Sequence, residues 1–192
     1  VELTRAGNAW GASSASRYNR RITGTTPMDI TGPLRGHPSM QTSADPTGMT
    51  VAGTLNNCAG GRTLWGTVLT AEENFHQYFG NSDALPDGPQ KTLNKRYGVP
   101  GKGSERQWER VYSRFDAARE PNEVNRFGYM VEIDPYDPTF VPKKRTAMGR
   151  YKHEAASMGL THSGHVAVYS GDDERFDYLY KFVTKDRYNA FV

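Results

Sequence analysis

The first quarter of the chain shows no hydrophobic periodicity and is interrupted by turn-forming residues at short intervals. These turn signals are Gly24, Pro27, Gly32, Pro33, Gly36, Pro38, Asp45 and Pro46. Glycine and proline are the strongest local breaks in regular structure. A segment of this length without regular elements is uncommon in a compact domain. We therefore predict that residues 1–48 form a loop-rich segment that wraps over the fold or lines a site.

The rest of the chain is also rich in turns, since the 192 residues include 20 glycines and 11 prolines. Eleven tyrosines, eight phenylalanines and three tryptophans supply material for a core, and the net charge is only +3. This composition indicates an ordered chain. Many tight turns between short strands are typical of all-β architectures. We predict an all-β fold with a minor helical part and long loops.

Apolar patterning predicts short strands at residues 50–55, 63–70, 127–133, 145–151, 165–170 and 176–183. The last two of these strands are predicted to form a hairpin. One helix is predicted after Ser104, because Gln107 completes a capping-box pattern and Trp108 begins an apolar repeat at i, i+3, i+4 and i+7. Successive antiparallel strands suit the blades of a β-propeller, and a sandwich is the alternative.

The charge and the hydropathy of the chain exclude some classes of partner. A net charge of +3 gives no case for nucleic-acid binding or for an anionic membrane surface. No apolar run approaches the ~20 residues that a membrane-spanning helix needs. The chain also starts without the pattern of a signal peptide, so we expect that any export signal is absent or has been removed. We predict no nucleic-acid or membrane partner, and the oligomeric state stays open.

Cys58 is the only cysteine of the chain and lies in a predicted turn rich in asparagine and glycine, where a side chain can point at a ligand. Glu72 and Glu73 follow at the end of the next apolar run. Because neighbouring strand residues point to opposite faces, only one of these carboxylates can face the site, and we assign Glu73. A thiolate with one or two carboxylates predicts a metal site. The alternatives are a buried, inert thiol and a solvated strand end.

Two further clusters of acidic residues lie at predicted strand ends. By the same parity, Glu154 is a candidate metal ligand, and His153 contacts the substrate or supports a ligand. Asp173 lies in the predicted hairpin turn, a sequence that also suits a simple turn without chemistry. Arg62 and Arg35 have glycine neighbours that would let their guanidinium groups approach a phosphate, although most exposed arginines only solvate a surface. The candidate catalytic residues are therefore these two arginines and His153.

Five segments carry motifs that occur in a fixed order. They are residues 54–67 with Asn-Asn-Cys, residues 70–74 with Glu-Glu-Asn, residues 126–135, residues 152–154 with Lys-His-Glu, and residues 171–183. In this order they resemble the PhoX-type alkaline phosphatases. The resemblance extends from about residue 23 to the end of the chain. Members of that family are several times longer than this chain, which implies that the chain is part of such a protein.

The resemblance implies a β-propeller phosphatase that is periplasmic or secreted and acts at a cluster of Fe³⁺ and Ca²⁺ ions. It implies that Cys58 is an iron ligand and that Glu73 and Glu154 are metal ligands, and we extend this to Asp173. Residues 1–192 would then form part of the β-propeller phosphatase domain.

The predicted function is the metal-dependent hydrolysis of small phosphate monoesters. In this hypothesis metal ions polarise the phosphoryl oxygens, and Arg62 or Arg35 neutralises the charge on them. Two alternatives stay open. One is a non-catalytic calcium-binding propeller module in which Cys58 is buried, and the other is a phosphodiesterase or phosphotriesterase with the same metal cluster.

Overall fold

The computed structural model describes residues 1–190, in which three open β-sheets are accompanied by one α-helix. The strands are β1 (Glu2–Ala6), β2 (Ala9–Ser13), β3 (Pro27–Thr31), β4 (Thr50–Ala52), β5 (Asn57–Arg62), β6 (Val68–Glu72), β7 (Met130–Ile133), β8 (Lys143–Arg145), β9 (Ser157–Leu160), β10 (His165–Gly171) and β11 (Leu179–Arg187). The helix α1 spans Pro89–Arg96. Short 3₁₀ turns occupy Pro38–Met40, Phe75–Tyr78, Ser82–Ala84, Trp108–Arg110, Ser113–Phe115, Glu123–Arg126, Thr146–Met148 and Tyr188–Ala190.

The largest sheet has six strands in the order β4-β3-β8-β7-β6-β5. Its β3–β8 pair is parallel, and its other pairs are antiparallel. A second sheet has the order β11-β10-β9, and β1 and β2 form a separate hairpin. The mainly β prediction is therefore confirmed. No helix within residues 1–190 has the length and apolarity that a membrane crossing requires.

The six-stranded sheet contributes to a core on each of its faces. In β7, Val131 belongs to the larger core, which is rich in phenylalanine, whereas its neighbour Met130 belongs to a smaller core. Because successive strand residues point to opposite faces, this alternation shows that the sheet is buried on both sides. In the smaller core, Leu69 of β6 packs with Val166 and Val168 of β10. The smaller core therefore holds the three-stranded sheet against the larger one.

A buried ion pair crosses the interior of the larger sheet. Lys144 Nζ of β8 lies 2.8 Å from Glu72 Oε1 of β6, and both side chains are fully buried. The same carboxylate accepts hydrogen bonds from the backbone N–H groups of Leu55, Gly128 and Tyr129, at 3.1, 2.9 and 3.1 Å. Burial lowers the pKa of Lys144 to about 8, and the charge of Glu72 opposes that shift. Glu72 thus joins the segments that lead into β5 and β7 to the centre of the sheet.

Most of the predicted strands are present, with shifted bounds. The terminal hairpin is confirmed, because β10 pairs antiparallel with β11. The predicted strand at 145–151 is wrong: β8 ends at Arg145, and a 3₁₀ turn follows at Thr146–Met148. In that turn Thr146 Oγ1 donates to Thr31 O at 2.6 Å and also accepts from Leu34 N, so its side chain bonds to the chain around β3.

The predicted helix after Ser104 is also wrong. The first capping contact exists, since Gln107 N donates to Ser104 Oγ at 2.8 Å, but Gln107 has a left-handed φ of 58°. Glu109 then bonds back to the N–H and hydroxyl groups of Ser104. Trp108 packs edge-on against Phe115, with ring centroids 5.1 Å apart. The hydrogen bonds between Glu109 and Ser104 and the packing of Trp108 on Phe115 therefore bend this segment into two 3₁₀ turns instead of one helix.

Three parts of the fold, the β1–β2 hairpin, β3 and α1, lie where the sequence patterns gave no indication of them. Residues 1–48 contain the β1–β2 hairpin and β3, which is a central strand of the large sheet. The helix α1 lies in a segment that is rich in turn-forming residues, and Pro89 occupies its first turn. Proline is well suited to that position because its missing N–H would be unpaired there in any case. The weak apolar periodicity of this eight-residue helix explains why pattern reading missed it.

We expect Lys144→Met to lower the free energy of unfolding by about 3–5 kcal/mol, because it leaves the Glu72 carboxylate buried without its cation. Urea denaturation measures this loss. The neighbouring Lys143→Met is the control, since that side chain points to the other face of β8. Equal losses in the two variants would contradict a special role for the buried pair.

His76 introduces a pH dependence into the stability of the fold. Its ring lies edge-on to Phe75, its Nδ1 is buried without a hydrogen-bond partner within residues 1–190, and burial lowers its pKa to about 4. The unfolded chain therefore binds a proton at higher pH than the folded chain does. The resulting stability is fully present above pH ~6.5 and is lost as the pH falls through about 4.

The parent protein loses unfolding free energy between pH 7 and pH 4. We expect His76→Leu to make this loss smaller by roughly 1–3 kcal/mol. Denaturation curves at several pH values measure the slope. His162→Leu, which changes an exposed histidine, should keep the slope of the parent protein. A His76→Leu variant with an unchanged slope would show that this histidine does not contribute.

Candidate metal centre

Cys58 lies in strand β5 and not in a connecting turn, which corrects the sequence-based interpretation. Asn57 pairs with Glu72 and Gly60 pairs with Thr70, so β5 has one residue more than β6 over this stretch. The extra residue forms a β-bulge that contains Cys58. Bulges turn a side chain away from the regular alternation of a strand and are common beside functional sites. The Cys58 thiol is exposed, which differs from a buried, inert cysteine.

Two glycines after the bulge allow other backbone segments to approach β5 closely. A Cβ at Gly60 would lie 2.0 Å from Leu69 O, and a Cβ at Gly61 would lie 1.8 Å from Ala156 O. Neither position can accept a side chain without movement of the backbone. The absence of a side chain at Gly61 therefore permits the segment after Glu154 to lie against β5.

Glu73 faces the exposed thiol, whereas its neighbour Glu72 is buried in the core. The backbone N–H of Glu73 donates to Asn56 O at 3.2 Å, and Asn56 has a left-handed φ of 48°. Asparagine tolerates this conformation better than most residues do. The structure thus separates the two carboxylates as the strand parity predicts: one is an interior ion-pair partner and the other belongs to the surface site.

Glu154 and Asp173 are brought together by a short antiparallel bridge. His153 bridges with Asp172, Asp173 N donates to Lys152 O at 3.1 Å, and Glu154 N donates to Gly171 O at 3.3 Å. These bonds place the Lys-His-Glu segment beside the turn that links β10 to β11. The two carboxylates therefore come from segments that the bridge fixes against each other.

The carboxylates of Glu73, Glu154 and Asp173 form one cluster. One oxygen from each lies within 4.8 Å of the others. The Cys58 thiol lies beside Glu73 and interacts with its carboxylate, but the sulfur is not within this distance of all three oxygens, so the thiol stands at the edge of the acid cluster. The pKa of Glu73 is raised by burial, by the hydrogen bond and charge of Asp173, and by the charge of Glu154, while the bond from Cys58 opposes the rise. This arrangement of mutually repelling acids beside a thiol can hold cations.

His153 is fully buried behind this cluster. Its Nε2 lies 3.2 Å from Gly149 O, and its Nδ1 lies 3.0 Å from Ser170 Oγ. Because a carbonyl oxygen only accepts, Nε2 carries the proton and Nδ1 accepts from the serine hydroxyl. Burial lowers the pKa of His153 to about 4, so its ring is neutral near pH 7. The placement favours the supporting role over contact with a substrate, and the catalytic role stays a prediction.

The two candidate arginines lie apart from this network. Arg62 is the last residue of β5, opposite Val68, and Arg35 is in the turn after β3. Both are exposed, and neither side chain makes a hydrogen bond or ion pair with any other residue in the described part of the chain. Their proposed contact with phosphate stays a prediction.

Sequence reasoning missed the residues that fix the loop carrying Asp173. Lys152 Nζ lies 2.6 Å from Glu174 Oε2, which joins the two segments beside the acid cluster. The Asp172 carboxylate accepts from the backbone N–H groups of Lys152 and Glu174, at 3.3 and 3.1 Å. The adjacency of these residues to the Lys-His-Glu and Asp-Asp-Glu motifs is the signal that could have identified them.

Comparisons with known proteins indicate the family of this chain. The family model for alkaline phosphatase PhoX matches residues 1–191. A solved structure described as Pseudomonas fluorescens PhoX in complex with vanadate, a transition state analogue, is 50% identical to this chain, with a TM-score of 0.89. That match covers 96% of this chain and 32% of the other chain, so this chain spans about a third of its relative. A search among curated proteins found no match.

The fold and the acid cluster define a β-rich protein with a surface site suited to cations. The chain belongs to the PhoX alkaline phosphatase family. The resemblance inferred from the ordered motifs is thereby confirmed.

We expect Gly61→Ala to weaken metal binding by about tenfold or more, because a Cβ there pushes Ala156 away and displaces Glu154 with it. Metal content after dialysis against graded chelator concentrations measures the effect. Gly159→Ala is the control, since a Cβ at that position meets nothing within 4 Å. Equal metal retention in both variants would show that the close approach at Gly61 does not position the site.

Proposed function

We propose that the protein hydrolyses phosphate monoesters at a metal centre built on Cys58, Glu73, Glu154 and Asp173. The observation that carries this proposal is the convergence of three carboxylates from separate segments of the chain, with the Cys58 thiol beside one of them, Glu73. Regular packing does not require such a cluster, because three acids within 4.8 Å repel one another unless protons or cations compensate them.

The donor set fits a centre that contains iron and calcium. Carboxylate oxygens are preferred by hard cations such as Ca²⁺, and a thiolate binds iron well. Cys58 would therefore hold Fe³⁺, and Glu73, Glu154 and Asp173 would hold Fe³⁺ or Ca²⁺. When bound, these ions act as Lewis acids towards the phosphoryl oxygens.

The remaining candidate residues support this site from outside the metal ligands. His153 is neutral and buried, and it holds the strand segment that presents Glu154. Arg62 and Arg35 have exposed guanidinium groups, which would orient the phosphate monoester and neutralise charge on its oxygens. The small-molecule phosphate ester would thus be bound by the guanidinium groups of the protein and by the metal ions that the four proposed ligands hold.

The similarity to Pseudomonas fluorescens PhoX supports this choice of reaction. That relative is described in complex with vanadate, a transition state analogue. At 50% identity we infer a related phosphoryl-transfer site in the present protein. We also propose, from the family membership, that the open sheets are part of a β-propeller domain and that the protein works in the periplasm or outside the cell.

We expect Cys58→Ser to remove most of the bound iron and to lower the turnover of p-nitrophenyl phosphate by at least about a hundredfold, since a hydroxyl is a much poorer ligand than a thiolate. Elemental analysis and the phosphatase assay measure the two effects on the purified protein. Ser157→Ala, at an exposed position of β9, is the control for a small change outside the proposed ligands.

The same measurements separate the alternative functions. Retained calcium, absent iron and no turnover in the parent protein would favour a calcium-binding module and would reject the enzyme. Faster hydrolysis of bis-p-nitrophenyl phosphate than of the monoester would assign the reaction to a phosphodiesterase.

A further inference from the structure

A cleft lies between the end of α1 and the hairpin of β10 and β11, and none of the four proposed metal ligands lines it. Its volume is about 400 Å³, and its lining includes Arg96, Met148, Tyr151, Asp172 and Tyr180. Pockets for small ligands have volumes of about 300–1,000 Å³ and combine apolar walls with a few polar groups. The cleft therefore has the size and the mixed lining of a ligand site.

Aromatic rings form one wall of this cleft. The ring centre of Tyr151 lies 3.5 Å from that of His153 and 4.6 Å from that of Tyr180, and both ring pairs are tilted by 33°. Tyr151 and His153 are buried, whereas Tyr180 is 38% exposed. The thioether of Met148 lines the same cleft. Exposed tyrosine rings and thioethers both make favourable contacts with aromatic groups, so this wall suits a ligand that carries an aromatic ring.

Arg96 brings unused hydrogen-bond donors to the cleft. Its Nη2 donates to Asp177 Oδ2, and the other oxygen of that carboxylate accepts from the Tyr180 hydroxyl at 2.7 Å. Nε and Nη1 of Arg96 make no hydrogen bond within residues 1–190. Because the Arg96 side chain is 52% exposed, a ligand in the cleft can contact this guanidinium without displacing another residue.

Asp172 brings an unused acceptor. Its Oδ1 accepts from the backbone N–H groups of Lys152 and Glu174, at 3.3 and 3.1 Å. Its Oδ2 makes no hydrogen bond in the described part of the chain and keeps accessible surface. The charges of Arg96 and Asp172 attract each other, but the two side chains form no ion pair. The cleft therefore presents one positive and one negative group that do not reach each other.

We propose that this cleft binds a free aromatic α-amino acid, with its carboxylate on Arg96, its ammonium group on Asp172 and its ring against Tyr180. In an α-amino acid one carbon carries both charged groups, so one small molecule can connect two opposite charges that stand apart. Hydrogen bonds between ionised groups are stronger than those between neutral groups. A ligand with a single charge would use only one of the two side chains. The inference does not depend on the phosphatase reaction.

The test is calorimetric titration of the purified protein with three ligands that share one ring. L-Phenylalanine has both charged groups, phenethylamine lacks the carboxylate, and 3-phenylpropionate lacks the ammonium group. L-Phenylalanine should bind at least about tenfold more tightly than either of the other two, because only it engages both side chains. This comparison uses the parent protein alone, so it does not depend on the folding of any variant.

Two variants assign the two charged groups of the ligand. Arg96→Met should remove the preference for L-phenylalanine over phenethylamine. Asp172→Asn should remove the preference over 3-phenylpropionate, since the amide keeps an oxygen for the two backbone N–H groups and replaces the free oxygen by a donor. Arg106→Met is the matched control: the Arg106 side chain is 45% exposed and also lies beside an acid, but it does not line the cleft.

Three results would overturn the proposal. Equal affinity for the three ligands would show that the cleft does not distinguish their charges. L-Phenylalanine binding that is unchanged in both Arg96→Met and Asp172→Asn would place the ligand elsewhere, including at the metal centre. No binding of L-phenylalanine up to about 10 mM would reject the cleft as an amino-acid site. Because every arm measures binding and not turnover, these outcomes are separate from those that test the phosphatase reaction.

Discussion

The buried pair of Glu72 and Lys144 fixes the centre of the large sheet and, through it, the position of the surface site. Glu72 takes bonds from β8 and from the backbone that leads into β5 and β7. Breaking such a pair leaves one buried charge uncompensated, so its geometry is strongly enforced. Because Glu73 follows directly and points to the other side, the same constraint sets where its carboxylate emerges. The end of β6 therefore positions both the buried charge of Glu72 and the surface carboxylate of Glu73.

Three local features convert this framework into a cluster of metal-binding side chains. The bulge in β5 exposes Cys58, and Gly61 lets the segment around Ala156 lie against β5. The bridge between His153 and Asp172 then brings the last two carboxylates in. Each feature acts through backbone geometry and not through the acids themselves. Changes at these supporting positions should thus alter the site without removing a donor.

Pattern reading recovered the elements whose signal is local. The terminal hairpin has alternating residues on both sides of a turn, and the parity of Glu72 and Glu73 follows from strand geometry alone. It failed where side chains override local preference. Residues 104–115 have helical spacing, yet Glu109 binds back to Ser104 and the aromatic side chains enter the core, so the chain bends into 3₁₀ turns. The residues around Cys58 predict a connecting turn where the structure has a bulge, because one extra residue in a strand pairing leaves no signal in the sequence of a single strand.

The order of the motifs was enough to identify the family. It was also enough to name candidate ligands, because cysteine and acidic residues have intrinsic affinities for metal ions. Their meeting in space was decided by the tertiary structure. Glu73 and Asp173 lie far apart in the sequence, and strand pairing, the close approach at Gly61 and the bridge between His153 and Asp172 make them neighbours. Chemistry of the donors is local to each residue, whereas distance and burial are properties of the folded chain.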